Sequence, residues 1–145
     1  MKVLEFANGD QMSIIGLGTW KSSFSDVYDV ANDALRLGYR YIDYAAMYGN
    51  EPGVGQALTD SFNAGLVKRD EVWITSKLWN NAHAPEDVQP TLEKTLSDFN
   101  LEYLDLYLMH WPIAYKKHVQ YHSSAEHFIP LEALPERVPV IRTRG

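Results

Sequence analysis

Asp43, Tyr48, Lys77 and His110 bring together a carboxylate, a phenol, an ammonium and an imidazole, each at or just past the end of an apolar, β-prone run. A phenol can give a proton to an oxygen on which negative charge is building, and an imidazole can orient that oxygen through a hydrogen bond. A carboxylate can hold the ammonium charged in a partly dry pocket. These are the types needed to meet the charge that develops on a carbonyl oxygen during reduction. A free tyrosine ionises near pH ~10, and an ammonium brought beside it would lower that value.

Three runs must position these groups, at 39–43, 72–76 and 104–109, all rich in β-branched, aromatic or aliphatic residues. Between them lie helical patterns. Val27, Val30, Ala31, Ala34 and Leu35 share one face, then Val54, Ala57, Leu58 and Phe62, then Val88, Leu92, Thr95, Leu96 and Phe99. Ser25 is a candidate cap for the first helix and Gly38 its stop, while Pro85 with Glu86 and Asp87 suits a helix start. The alternation of strand and helix implies a parallel sheet with right-handed crossovers, either doubly wound or curled toward a barrel.

The chain has 145 residues, 46% hydrophobic, enough for one domain with a modest core. No apolar run approaches transmembrane length and the N-terminus lacks a signal-peptide pattern, so a cytoplasmic protein is expected. The absence of cysteine excludes disulfides, thiolate metal sites and cysteine nucleophiles. A net charge of -6 argues against general affinity for nucleic acid or an anionic membrane. Residues 1–111 carry 8 Lys/Arg against 16 Asp/Glu, whereas 112–145 carry 5 against 3, a basic tail that reads as a solvated loop.

Asn8-Gly9-Asp10 between two short apolar runs reads as the turn of a β-hairpin spanning 1–15. Next, Gly16-Leu17-Gly18-Thr19-Trp20 reads as a short strand whose glycines admit close approach to the backbone. It is not a dinucleotide fingerprint: the third glycine is missing and the helical pattern begins only near Asp26.

Several motifs now agree. Gly16-Leu17-Gly18-Thr19-Trp20, Gly38-Tyr39-Arg40-Tyr41-Ile42-Asp43-Tyr44-Ala45 with Tyr48-Gly49-Asn50-Glu51 and Val54-Gly55, Ile74-Thr75-Ser76-Lys77-Leu78-Trp79, and the run from Tyr103 to Pro112 through His110-Trp111 resemble the aldo-keto reductase family, closest to its aldose reductase-like members. The resemblance runs from residue 3 to about 115. It implies an α/β fold, the N-terminal half of a (β/α)8 barrel: a β-hairpin, four parallel strands across 15–111 alternating with three helices, and a long loop and tail over 112–145, in one partial domain. It also implies NADPH-dependent reduction of a small aldehyde or ketone. By position, Tyr48 would be the general acid, Lys77 and Asp43 its tuning pair, and His110 the donor that orients the carbonyl. Gly18, Thr19, Trp20 and Asp43 would meet the cofactor, and Trp20, Tyr48, Trp79, His110 and Trp111 the substrate, with aromatic walls favouring apolar or aromatic carbonyl compounds. A barrel supports the assignment, because its active sites form at the C-terminal ends of the strands.

Without the resemblance, the same residues have plainer readings. His110 between Met109 and Trp111 reads first as a satisfied core histidine, Asp43 as a loop cap, and the three tryptophans as core aromatics. Lys77 after an apolar strand must pair or reach outward. His118, His122 and His127 have a spacing that could suggest a metal site, but Ser123, Ser124 and Pro130 argue for an irregular loop, and no metal is expected.

A barrel of this kind takes about 250 residues, and here four strands and three helices are legible. Val138-Pro139-Val140-Ile141 resembles the end of the family's long loop, and Arg142-Thr143-Arg144-Gly145 departs from it. The resemblance places the basic residues for the cofactor 2'-phosphate in the other half. Activity is thus expected to require that half, and the exposed edges of a half-barrel to drive self-association. The alternative is a non-catalytic fragment, or a cofactor-sensing or assembly module of the same fold.

Overall fold

A computed structural model describes residues 2–119. The chain opens with an antiparallel hairpin, β1 (Val3–Glu5) and β2 (Gln11–Ser13), in the register Val3 to Ser13. Gly9 at the turn has φ +87, the left-handed region that glycine adopts without steric cost. The Asn-Gly signal thus marks the turn.

A second sheet holds four parallel strands in sequence order: β3 (Leu17–Gly18), β4 (Tyr41–Asp43), β5 (Trp73–Leu78) and β6 (Leu106–Met109). The connections are α1 (Phe24–Arg36), α2 (Glu51–Asn63) and α3 (Pro85–Phe99). This is the expected order of a (β/α)8 barrel through its fourth strand. The hairpin forms its own sheet, and Phe6 stacks on Trp73 at 5.3 Å, which places it at the N-terminal end of β5. Arg69 braces the same end, bonding Val72 O and Tyr103 O and pairing with Asp105 at 2.9 Å.

Helix boundaries follow local chemistry. Ser23, not Ser25, caps α1, its hydroxyl accepting from Asp26 N at 3.1 Å. Helix α1 therefore begins at Phe24, two residues ahead of the apolar periodicity, because a cap lies outside the face that carries the pattern. At its other end Tyr39 N donates to Ala34 O and Gly38 N to Leu35 O, with Gly38 at φ +93. That is a glycine stop of the Schellman kind. Pro85 opens α3 and Asn100, at φ 55, closes it.

Side chains alternate along the strands. Ile42, Ile74, Leu78 and Tyr107 pack against the helices with Val27, Ala31, Leu35, Val54, Leu58, Val88, Leu92 and Phe99 in one core. Val30, expected on the buried face of α1, is instead 45% exposed, since α1 turns only a narrow stripe toward its neighbours. Helix α2 packs closely on both sides through glycines: a Cβ on Gly53 would lie 2.8 Å from Phe24 O, and one on Gly55 2.6 Å from Asp98 O. The opposite face of the sheet carries Tyr41, Asp43, Thr75 and Lys77, which turns polar groups away from the helices.

Candidate active site

The strands deliver the four chemically notable groups to one end. Asp43 is the last residue of β4, and Tyr48 ends a short 3-10 turn, Ala46–Tyr48, directly after it. Lys77 lies inside β5 rather than beyond it, because the strand runs two residues further than its apolar stretch. His110 follows β6, held in line by its N–H donating to Leu78 O at 3.0 Å. Gly18 ends β3, with Thr19 and Trp20 immediately after it.

Asp43 and Lys77 face each other across adjacent strands. Lys77 Nζ lies 2.5 Å from Asp43 Oδ1 and also donates to Tyr44 O. Asp43 Oδ2 accepts from the Tyr41 hydroxyl at 3.1 Å, and Thr19 Oγ1 donates to Asp43 O at 3.0 Å. The ammonium stands 5.4 Å from the centre of the Tyr48 ring. Tyr48 itself lies between Trp20 and His110, with ring centres 4.8 and 5.8 Å away. His110 in turn meets Trp79 at 5.1 Å and stacks on Trp111 at 6.0 Å.

These rings enclose a cavity of about 450 Å³, lined by Trp20, Tyr48, Trp79, His110 and Trp111 together with Met47, Asn80, Ile113 and Tyr115. Its walls are mostly apolar, and its polar side chains include the Tyr48 phenol, the His110 imidazole and the Asn80 carboxamide. A larger groove of about 630 Å³ lies between α1 and α2, lined by Tyr28, Asp60 and neighbouring residues, and holds none of these groups. Beside the cavity Gly18 is open, since a Cβ there would meet nothing within 4 Å, whereas the adjoining Thr19 is buried and Asp43 O accepts from its hydroxyl. A flat ring could lie against Gly18.

The electrostatics depart from expectation at Tyr48. Burial first, then the Asp43 carboxylate, hold the phenol above its ordinary value of 10.0. The shift is upward rather than the expected lowering: burial and Asp43 are its causes, and the Lys77 ammonium is hydrogen-bonded to Asp43 and Tyr44 O. His110 is pushed below 6.5 by burial, then by Lys77, against a smaller opposing effect of Asp43. At neutral pH the site thus presents a protonated phenol and a neutral imidazole whose Nδ1 is buried without a hydrogen-bond partner.

Two residues behind the site were not singled out from sequence. Asn50, 3% exposed, donates to Thr19 O and Ser22 O, both at 3.0 Å. Glu51, 5% exposed, accepts from Ser76 Oγ at 3.3 Å, beside Lys77. Burial, then Asp98, pushes the Glu51 carboxyl up to about 7. Their signal was present in Tyr48-Gly49-Asn50-Glu51, where two polar residues open an otherwise apolar helical face, but their partners are remote in sequence. Among the described residues no group of three or more His, Cys, Asp or Glu could hold a metal ion. His122 and His127 lie outside the described residues, as do 138–145.

Comparison with known proteins decides the family. A sequence model described as the Aldo/keto reductase family matches residues 14–136. The chain belongs to that family. An aldo/keto reductase of Synechocystis sp. is 52% identical over 130 residues, which cover 90% of this chain and 40% of that protein. Aldo-keto reductase family 1 member A1 of Homo sapiens is 56% identical over 110 residues, 75% of this chain and 34% of that protein. Among solved structures, the aldose reductase of Schistosoma japonicum superposes with a TM-score of 0.81 at 41% identity, over 88% of this chain and 42% of that one. A Bombyx mori aldo-keto reductase in complex with NADP gives 0.76 at 39% identity, over 79% of this chain and 39% of that one. This aldo-keto reductase chain therefore spans about two-fifths of the length of the relatives it matches, and corresponds to their N-terminal part. Its four parallel strands are those of the first half of a (β/α)8 barrel.

Proposed function

We propose that this chain carries the proton-donating and substrate-walling part of an NADPH-dependent carbonyl reductase site, with Tyr48 as general acid. The observation that carries the reading is the Tyr48 phenol, kept protonated by burial and by Asp43, in one aromatic cavity with the neutral imidazole of His110. Gly18, Thr19, Trp20 and Asp43 would hold the nicotinamide of the cofactor, which would supply the hydride. A carbonyl compound enters between Trp20, Trp79 and Trp111, which exclude water and select apolar or aromatic substituents. His110 donates to the carbonyl oxygen and fixes its direction. As charge builds on that oxygen, the Tyr48 O–H transfers its proton, with the Lys77 ammonium 5.4 Å from the centre of its ring. Asp43 holds Lys77 in place.

The NADP complex of the Bombyx mori relative supports the cofactor assignment. The remaining barrel would supply the main phosphate grip, as the loops after strands 7 and 8 do in barrels generally. A cytosolic setting belongs to the same proposal; none of the described helices is long and apolar enough to cross a membrane. Titration of the 145-residue chain with NADPH, followed by quenching of its four tryptophans, tests the cofactor assignment. Saturable quenching supports it. No quenching at millimolar cofactor would leave the chain as a non-catalytic fragment on its own.

A further inference from the structure

The loop that carries Trp20 is poorly suited to hold its own shape. Residues 19–22 form a turn closed by a long Ser22 N to Thr19 O hydrogen bond of 3.4 Å. Its third residue, Lys21, has φ +64, a left-handed conformation that such turns normally reserve for glycine or asparagine. A lysine there crowds its own Cβ against the backbone. Trp20 is the second residue of the turn, is 49% exposed, and contacts the Tyr48 ring at 4.8 Å. Something outside the turn must keep it in place.

Asn50 meets that need. Its carboxamide is buried, and its two N–H bonds go to Thr19 O and Ser22 O, the two ends of the turn, at 3.0 Å each. Asn50 stands two residues after Tyr48, separated from it only by Gly49, whose φ of +69 reverses the chain into α2. One side chain thus ties the Trp20 turn to the segment that carries the phenol.

We propose that Asn50 is a positioning residue, a clamp that holds Trp20 on Tyr48 and so sets one wall of the substrate cavity. It touches neither substrate nor reacting atoms and acts through the Thr19–Ser22 turn. The functional consequence rests on the carbonyl reductase reading; the clamp itself does not.

The test is the indole N–H resonance of Trp20 in the full 145-residue chain, assigned by Trp20→Phe, without cofactor or substrate. Asn50→Asp keeps the shape of the side chain and removes both donors; Asn50→Ala removes the side chain. In both, the Trp20 resonance is expected to lose its displacement by the Tyr48 ring and to show fast local motion. The Trp73 resonance, at the opposite end of the strands, is expected to stay put and to report that the chain is folded. An unmoved Trp20 resonance in a folded Asn50→Asp chain would overturn the proposal. So would equal displacement of Trp20 and Trp73, or loss of folding in both variants, since Asn50 would then be a general folding residue. Because the readout needs no turnover, it separates failure of the clamp from failure of the reductase reading.

Discussion

Lys77 Nζ is paired with Asp43 Oδ1 at 2.5 Å and stands 5.4 Å from the centre of the Tyr48 ring. The pair acts on His110 with opposite signs, Lys77 lowering its pKa and Asp43 raising it, beneath a larger lowering by burial. Lys77→Met removes the smaller of the two lowering influences and leaves burial alone against Asp43. The His110 imidazole, followed by proton NMR across pH, should then titrate higher than in the wild type while staying limited by burial. An unchanged or lower value would contradict the arrangement.

On the proposed reading, Tyr48 as the acid sets the alkaline limb. Its phenol is held above 10.0, with burial the larger cause and Asp43 the second. A proton donor is lost as pH rises through its own pKa, so the reduction should persist beyond the ordinary tyrosine range before it falls. Asp43→Asn removes the second cause and should bring the Tyr48 titration, read from a carbon-13 label at its hydroxyl-bearing carbon, down toward 10.0.

Glu51 makes stability depend on pH. Its carboxyl is raised from 4.5 to about 7 in the folded chain, mainly by burial. A group with a raised folded pKa contributes stability that is fully present below its unfolded value and is lost as pH rises through the folded one. Between pH 4.5 and 7 that loss approaches on the order of 3 kcal/mol. Glu51→Gln cannot ionise, and should gain on the wild type as pH rises through this window in urea unfolding. His83 and His110, both lowered by burial, act in the opposite direction and are common to both proteins. The difference between the two curves isolates Glu51, and parallel curves would refute its assignment.

The order of strands and helices was legible in sequence because each strand is a short apolar run and each helix buries one stripe. The grouping of Asp43, Tyr48, Lys77 and His110 was legible for a related reason, since parallel strands bring their C-terminal ends together. What was hidden depends on three-dimensional partners. Nothing local marks Asn50 as a donor to Thr19 and Ser22, or Glu51 as the buried acceptor of Ser76. The direction of the Tyr48 shift was hidden too, because it turns on burial and on the Asp43 carboxylate. Ser23 was passed over for Ser25 because a cap is fixed by geometry one residue before the helix, and two serines stood close together.

Among the described strands, β3 and β6 each pair on one side only. Leu108 and Trp111, near the open edge, are 36% and 54% exposed. Unpaired edges with apolar neighbours favour pairing with another chain. The 145-residue chain by itself is therefore expected to sediment as a dimer or larger species; a monomer across micromolar concentrations would count against this.

Tyr48 as the acid of a carbonyl reductase is put to the test by joining this chain to the remaining segment of its Synechocystis relative. Oxidation of NADPH by an aromatic aldehyde would then be measured for Tyr48 and for Tyr48→Phe. Turnover is expected to fall roughly 100- to 10,000-fold in Tyr48→Phe, with NADPH binding retained. Equal turnover in the two chimeras would contradict it.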